Sequence, residues 1–403
     1  PGIIPTSNSG GGKGHGDLSH TNYLAMTPAP CDIANAVLYL ASEEARFVTG
    51  MDLIVDRGRR LATPVTYEKS PQKERIMKAM LVKEGRLVLS EVADPLPKAD
   101  EILIEIHAAA LNRADLLQKK GTYPSPAGWP QWPGLECAGK VLALGETAAS
   151  RTSFCVGDSV LALVGGGAYA QKIAVPYKLV LPVPEGLTMA QAASLPEAYT
   201  TSYLNLFREG HLKAGQTVYI AAGASGLASA AIPMAKGAGA YVVTDVLSAE
   251  LAEKIAPLGA DYIIDLSKEK VSDVFRRLDE AGMPVNCAMD CLGGADMGEA
   301  LRYMAEGGYW VLISTLAGVT TQLSLRPLLT RGLHITGSML RKRSVREKSA
   351  LLASLQKEIW SKIESGAIRP SVYKIFPFED AEKAQEGLER GENIGKVVLS
   401  MRE

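Results

Sequence analysis

The chain has 403 residues, enough for about two or three domains with sizeable cores. Hydrophobic residues make up 47% and charged residues 22%, and 43 Lys+Arg against 44 Asp+Glu leave a formal charge of -1. That balance excludes collagen-like, coiled-coil and disordered classes and offers no basic field to nucleic acid or an anionic membrane; five scattered cysteines exclude a disulfide framework and fit a reducing, cytoplasmic compartment.

Residues 1–22 are rich in Gly, Ser and Asn without a period and read as a flexible lead. They show no basic region followed by an apolar one, so no secretory leader is expected, and the opening at Pro1 implies processing or truncation. In 23–62, Asp32-Ile-Ala-Asn-Ala-Val-Leu-Tyr-Leu-Ala sets apolar residues at helical spacing behind an Asp N-cap, and Leu53-Ile-Val is a short strand. Polar, proline-bearing residues 63–76 read as a linker.

From Met77 the pattern changes. Met80-Leu-Val, Leu87-Val-Leu and Ile102-Leu-Ile-Glu-Ile-His are short strands parted by Gly, Pro and Asp, which predicts a small barrel. Between about 200 and 340, Val218-Tyr-Ile, Tyr241-Val-Val, Tyr262-Ile-Ile, Cys287-Ala-Met and Trp310-Val-Leu-Ile alternate with helix-length segments. Such βα alternation predicts a doubly wound parallel sheet. An amphipathic helix over Ser349–Glu364 and a strand at Gly395-Lys-Val-Val-Leu close the chain. The eighteen uncharged residues Val218–Ala235 reach transmembrane length, but the glycines, serines and Pro233 within them favour a strand, a turn and a small-residue helix.

That stretch, Val218-Tyr-Ile-Ala-Ala-Gly223-Ala-Ser225-Gly226-Leu227-Ala228, carries the main chemical signal. Gly223 and Gly226 lack the Cβ atoms that would block a pyrophosphate at the helix N-terminus; tight helix–sheet packing is the alternative use of the same glycines. Asp245 follows Gly223 by 22 residues, where a carboxylate accepts hydrogen bonds from a ribose 2′-hydroxyl and repels a 2′-phosphate; a turn Asp or helix cap is the alternative.

From Met77 to Ser400 the chain resembles zinc-independent quinone oxidoreductases of the medium-chain dehydrogenase/reductase superfamily. The matching stretches are Ala110-Leu-Asn112-Arg-Ala-Asp, Gly121-Thr-Tyr123-Pro, Pro133-Gly-Leu-Glu136-Cys-Ala-Gly, Gly165-Gly-Gly-Ala-Tyr-Ala, Pro196-Glu-Ala-Tyr-Thr-Thr201 and Gly337-Ser-Met-Leu340-Arg-Lys-Arg343. The resemblance implies an α/β protein: a GroES-like β-barrel catalytic domain from 77–200 and 341–403, with a Rossmann domain over 201–340 and a cleft between them. It implies NAD(P)H as cofactor and a small quinone or other conjugated carbonyl as partner, with no nucleic acid or membrane, in a homodimer. Asn112 and Tyr123 take the catalytic roles, Asn112 and Thr201 positioning the nicotinamide and Tyr123 facing the substrate oxygen. Gly223, Ser225, Gly226 and Leu227 hold the cofactor's diphosphate side, with Asp245, Ser248 and Leu340 as further cofactor contacts.

Relatives that use zinc carry a Cys and a Gly-His-Glu as ligands. Here Asn112 and Leu135 stand in those regions, and Cys287 and Cys291 read as ordinary buried thiols, so no metal is expected. Leu251 stands where relatives hold a 2′-phosphate with a lysine, which with Asp245 favours NADH. Tyr123 has packing on Trp129 or Trp132 as its structural alternative, Glu136 reads as structural, and Arg341-Lys-Arg343 is either a phosphate contact or a solvated face. Pro30 to Gly58 resembles the C-terminal end of a short-chain dehydrogenase/reductase without its catalytic pair, read as a remnant or fusion that docks on the main body or is unsettled in solution, with an oligomerisation role as the weaker alternative. The alternative functions are alkenal or enoyl double-bond reduction and non-catalytic nucleotide binding.

Overall fold

The computed structural model describes residues 76–402. The flexible lead, the dehydrogenase-like fragment and all but the last residue of the linker therefore lie outside the described residues. The strands in chain order are β1 (Ile76–Lys83), β2 (Arg86–Ala93), β3 (Glu101–Ala110), β4 (Glu136–Leu144), β5 (Ser159–Leu163), β6 (Lys172–Pro176), β7 (Val180–Pro182), β8 (Thr217–Ile220), β9 (Tyr241–Val246), β10 (Tyr262–Asp265), β11 (Val285–Asp290), β12 (Met304–Leu312), β13 (His334–Gly337), β14 (Val372–Pro377) and β15 (Lys396–Ser400).

Three sheets form. The hairpin β1–β2 turns at Glu84-Gly85, both in the left-handed region, and stands as its own two-stranded sheet, joined to the neighbouring barrel loop by the Ala79–Ala170 bridge. A seven-stranded sheet of order β14-β15-β3-β4-β5-β7, with β6 on β3, is antiparallel except for the β14–β15 pair. The third sheet is six-stranded and wholly parallel, order β10-β9-β8-β11-β12-β13. Fold class is thus α/β, a GroES-like barrel with a Rossmann-type doubly wound sheet. The run Val218–Ala235 resolves into β8, a turn and the helix Ala228–Gly237, and among the described residues no helix is long and apolar enough to cross a membrane.

The central parallel strands β8, β9 and β11 are mostly buried and rich in apolar residues, as expected where helices cover both faces. Val218, Ile220, Val242, Cys287 and Met289 face one core, while Tyr219, Val243, Ala288 and Trp310 face another. This is the period-two alternation of a strand. The first of these cores continues without a break into Ile102, Val141, Leu161 and Val398 of the barrel. The helix Pro196–Tyr203 bridges the two sheets; Pro196 occupies its first turn, where a missing N–H is harmless. Sheet order reverses between β8 and β11, so the turn after β8 sits at the topological switch point, where doubly wound sheets bind ligands.

Candidate active site

The turn after β8 is built by close packing. A Cβ on Gly223 would meet Thr244 Oγ1 at 2.6 Å and Ile255 Cδ1 at 2.7 Å, and one on Gly226 would meet Lys396 Cδ at 2.6 Å. The glycines let the turn lie on β9 and on the barrel, which corrects the expectation that their bare faces point at a pyrophosphate. Gly395 N–H donates to Ala224 O at 3.0 Å, fixing the turn to the barrel. Ser225 Oγ accepts from Ala228 N–H at 3.1 Å and caps the helix Ala228–Gly237. The Gly226 amide faces Gly395 in the parallel Ser225–Gly395 bridge, whereas the Leu227 amide has no hydrogen-bond partner among the described residues, so one donor remains at the positive end of that helix.

Asp245 does not reach a ribose. It is 1% exposed, and its Oδ1 accepts from Ala222 N–H at 2.6 Å and from the Tyr219 hydroxyl at 3.1 Å. Ala222 sits at φ 57, a conformation that favours glycine, and the carboxyl anchors it there. Burial pushes Asp245 up to about 6, against the opposing bonds from Ala222 and Tyr219. At the end of β9 the exposed residue is instead Leu247, followed by Ser248, whose hydroxyl caps the helix Ala249–Ile255 by accepting from Leu251 N–H at 3.4 Å. Leu340 is also corrected: its side chain is buried in the shared core and lines no open surface.

At the barrel end, Lys396 is the centre. Its ammonium, nearly buried, donates to Glu136 Oε1 at 2.6 Å, Asn112 Oδ1 at 2.8 Å and Leu111 O at 2.8 Å. Asn112 Nδ2 donates to the same Glu136 oxygen at 3.0 Å. Glu136 Oε2 accepts from Glu197 N–H at 2.7 Å and so anchors the start of the helix that carries Thr201 one turn later. Thr201 Oγ1 lies 3.5 Å from Glu197 Oε1, and Ser202 Oγ lies 3.4 Å from Leu227 O. One bonded chain thus links Asn112, Glu136, Glu197 and Thr201 to the turn after β8. Glu136 is structural, as its setting implied.

Tyr123 is held from the other side. Arg341 donates to Tyr123 O at 2.9 Å, Gly165 O at 2.8 Å, Gln118 Oε1 at 2.7 Å and Ser125 Oγ at 3.2 Å, and its guanidinium lies 4.6 Å from the Tyr123 ring centroid. Arg341 is therefore neither a phosphate contact nor a solvated cation; Arg343 pairs with Glu209 and Glu347. The Tyr123 hydroxyl makes no hydrogen bond among the described residues and remains able to meet a ligand. Burial holds the Tyr123 phenol above its ordinary pKa, the Glu197 charge adds to the rise and Arg341 opposes it.

Sequence reasoning did not single out Glu197, Lys396 or Asp115, and it gave Arg341 a different role. Asp115 is fully buried and accepts from Asn112 N–H at 2.8 Å, Gly134 N–H at 3.0 Å and the Tyr169 hydroxyl at 3.0 Å, so it sets the backbone that presents Asn112. The usable signal was a lysine opening the otherwise apolar strand at Gly395-Lys-Val-Val-Leu.

Residues 98–185 match the alcohol dehydrogenase GroES-like domain family and residues 258–399 the zinc-binding dehydrogenase family. The chain belongs to the medium-chain dehydrogenase/reductase superfamily. It is 26% identical over 343 residues to a quinone oxidoreductase-like protein 2 homolog of Nematostella vectensis, covering 84% of this chain and 93% of that protein. A quinone oxidoreductase of Sus scrofa is 28% identical over 314 residues, covering 77% and 92%. A mycobacterial protein solved in complex with NADPH shares the fold at a TM-score of 0.70 with 29% identity, over 80% of this chain and 99% of its own.

Zinc, which the second family description implies, does not fit the residues present. The Asn112 carbonyl and Glu136 already hold the Lys396 ammonium, which repels a second cation. Leu135 is a core residue, and the neighbouring Cys137 is buried and pushed up to about 12 by that burial. Among the described residues no group of three His, Cys, Asp or Glu side chains is arranged to hold a metal.

Proposed function

We propose that this protein is an NAD(P)H-dependent oxidoreductase that reduces quinones by hydride transfer without a metal. The carrying observation is the unpartnered Leu227 amide at the start of the helix Ala228–Gly237, in a turn set on the same bonded chain as Asn112 and Thr201. That helix N-terminus suits a diphosphate. The likeness to quinone oxidoreductases and to an NADPH-bound structure supports the same reading. A bound reduced nicotinamide supplies two electrons and one proton as hydride. Asn112, held by Lys396 and Glu136, and Thr201 orient the nicotinamide face. The Tyr123 hydroxyl donates to the oxygen that gains charge, in a loop pinned by Arg341. Leu247 and Ser248 would hold the cofactor's adenosine end, and NADH would be the preferred form because Leu251, not a cation, follows Ser248 on that helix.

The test is oxidation of NADH and of NADPH followed by absorbance with a benzoquinone and, in parallel, with an alkenal. Faster turnover of the quinone supports the proposal. Faster turnover of the alkenal favours double-bond reduction, and no oxidation above the blank with either electrophile refutes reduction at this site.

A further inference from the structure

Residues 121–132 form the loop that carries Tyr123, between the helix Arg113–Lys119 and β4. The loop lies on a shelf of three successive glycines. A Cβ on Gly165 would meet Trp129 Cδ1 at 2.6 Å, one on Gly166 would overlap the Ser125 hydroxyl, and one on Gly167 would meet Pro130 Cγ at 2.6 Å. Trp132 Nε1 donates to Gly167 O at 2.9 Å. Gln118, 6% exposed in that helix, bonds the loop at two points: its Nε2 donates to Ser125 Oγ at 3.0 Å and to Gln131 O at 3.1 Å. Its Oε1 accepts from Arg341 at 2.7 Å, and the same guanidinium holds Tyr123 O and faces the Tyr123 ring. The Tyr123 hydroxyl has no hydrogen bond among the described residues, so the loop backbone and the guanidinium decide where it stands. We propose that Gln118 is a positioning residue of this site: by clasping the loop to Arg341 it fixes the Tyr123 hydroxyl before an electrophile enters.

This rests on the quinone reduction proposed above. In that reaction Gln118 touches neither the electrophile nor the nicotinamide and acts through Ser125, Gln131 and Arg341. An amide alone among side chains of this length carries two donors, used here on Ser125 and Gln131 O, beside an acceptor for Arg341. A carboxylate keeps the acceptor and loses both donors, and a methionine of similar reach loses all three bonds. A hydroxyl displaced by about 1 Å from the oxygen that gains charge loses about a hundredfold in rate, so a loosened loop shows in kcat.

The experiment places Gln118→Met and Gln118→Glu in wild type and in Tyr123→Phe, with benzoquinone and NADH as substrates. In the wild-type background Gln118→Met is expected to lower kcat at least about tenfold while the NADH Kd changes less than about threefold. Gln118→Glu, which keeps the Arg341 bond, falls between the two. In the Tyr123→Phe background the further loss in kcat is less than about threefold, because the residue through which Gln118 acts has already lost its hydroxyl. Hydrogen exchange of the 121–132 amides rises in Gln118→Met, while the amides of β8 and of the helix Ala228–Gly237 exchange as in wild type. Wild-type kcat in Gln118→Met overturns the positioning role, as do an equal loss in both backgrounds and an NADH Kd that weakens in step with kcat. If Gln118→Met does not fold, Gln118→Glu carries the same comparison. A wild type that binds NADH but reduces no electrophile overturns the reduction and the positioning role together.

Discussion

Replacing Asp245 by Asn separates an internal clamp from a ribose contact. The wild-type carboxyl, at 1% exposure, rises from 3.8 to about 6 on folding. A shift of about two units corresponds to roughly 3 kcal/mol against the ionised form. Because the folded value is raised, the Asp245 contribution is whole below its unfolded value near 3.8 and is lost as pH rises through about 6. Asn keeps an oxygen for Ala222 N–H and the Tyr219 hydroxyl but does not ionise. In urea melts, Asp245→Asn is therefore expected to exceed wild type by up to about 3 kcal/mol at pH 8, the gap closing toward pH 4. Asp245→Ala strands two buried donors, at about 1–3 kcal/mol each, and is destabilised at every pH. In parallel titrations with NADH and NADPH, Asp245→Asn leaves the ratio of the two Kd values unchanged within about threefold, well short of the tenfold that 1.4 kcal/mol represents. A tenfold change in that ratio, or a stability gap that ignores pH, refutes the clamp.

Ala222→Gly is expected to raise the urea midpoint, since the left-handed backbone at φ 57 strains a non-glycine residue by about 1 kcal/mol; a lower midpoint refutes the strain. Lys396→Met leaves Glu136 charged and buried, for a loss of about 3–5 kcal/mol, and adding Glu136→Gln recovers at least half of it by chemical melt. Arg341→Lys keeps a charge but not the fork that grips Tyr123 O, Gly165 O and Gln118, so kcat falls at least about tenfold while NADH affinity, read by fluorescence, stays level.

The parallel sheet was legible because its central strands are buried on two faces and read as apolar runs, as at Val218-Tyr-Ile and Trp310-Val-Leu-Ile, whereas the exposed edge strand β13 was not read from the sequence. The turn after β8 was legible for the same reason that it works: strand, small residues and helix follow one another locally. What the residues of Asp245 and Leu340 face was not legible. Successive side chains on a strand leave on opposite sides, and which side meets solvent depends on how Ala222 closes over the end of β9. Arg341 was misread because its partner Gln118 lies 223 residues away and Gly165 lies 176 away. A run of three basic residues carries no trace of such contacts. The hairpin β1–β2 likewise shows strand patterning but nothing that says it stands apart from the seven-stranded sheet.

The Lys396 cluster explains how one fold accommodates different chemistry at the barrel end of its site. A buried ion pair is a poor source of stability, because taking both charges out of water offsets their attraction. Its value here is geometric. A single ammonium binds Asn112 Oδ1, Glu136 Oε1 and Leu111 O, while the methylenes of the same side chain lie against Gly226. The residue that orients Asn112 in the barrel thus also fixes the turn of the parallel sheet, and Glu136 passes that order on to the helix of Glu197 and Thr201. The ammonium also occupies the position where a metal ion would need anionic ligands. In the proposed reduction, polarisation of a substrate oxygen is then left to the Tyr123 hydroxyl, held in its loop by Arg341.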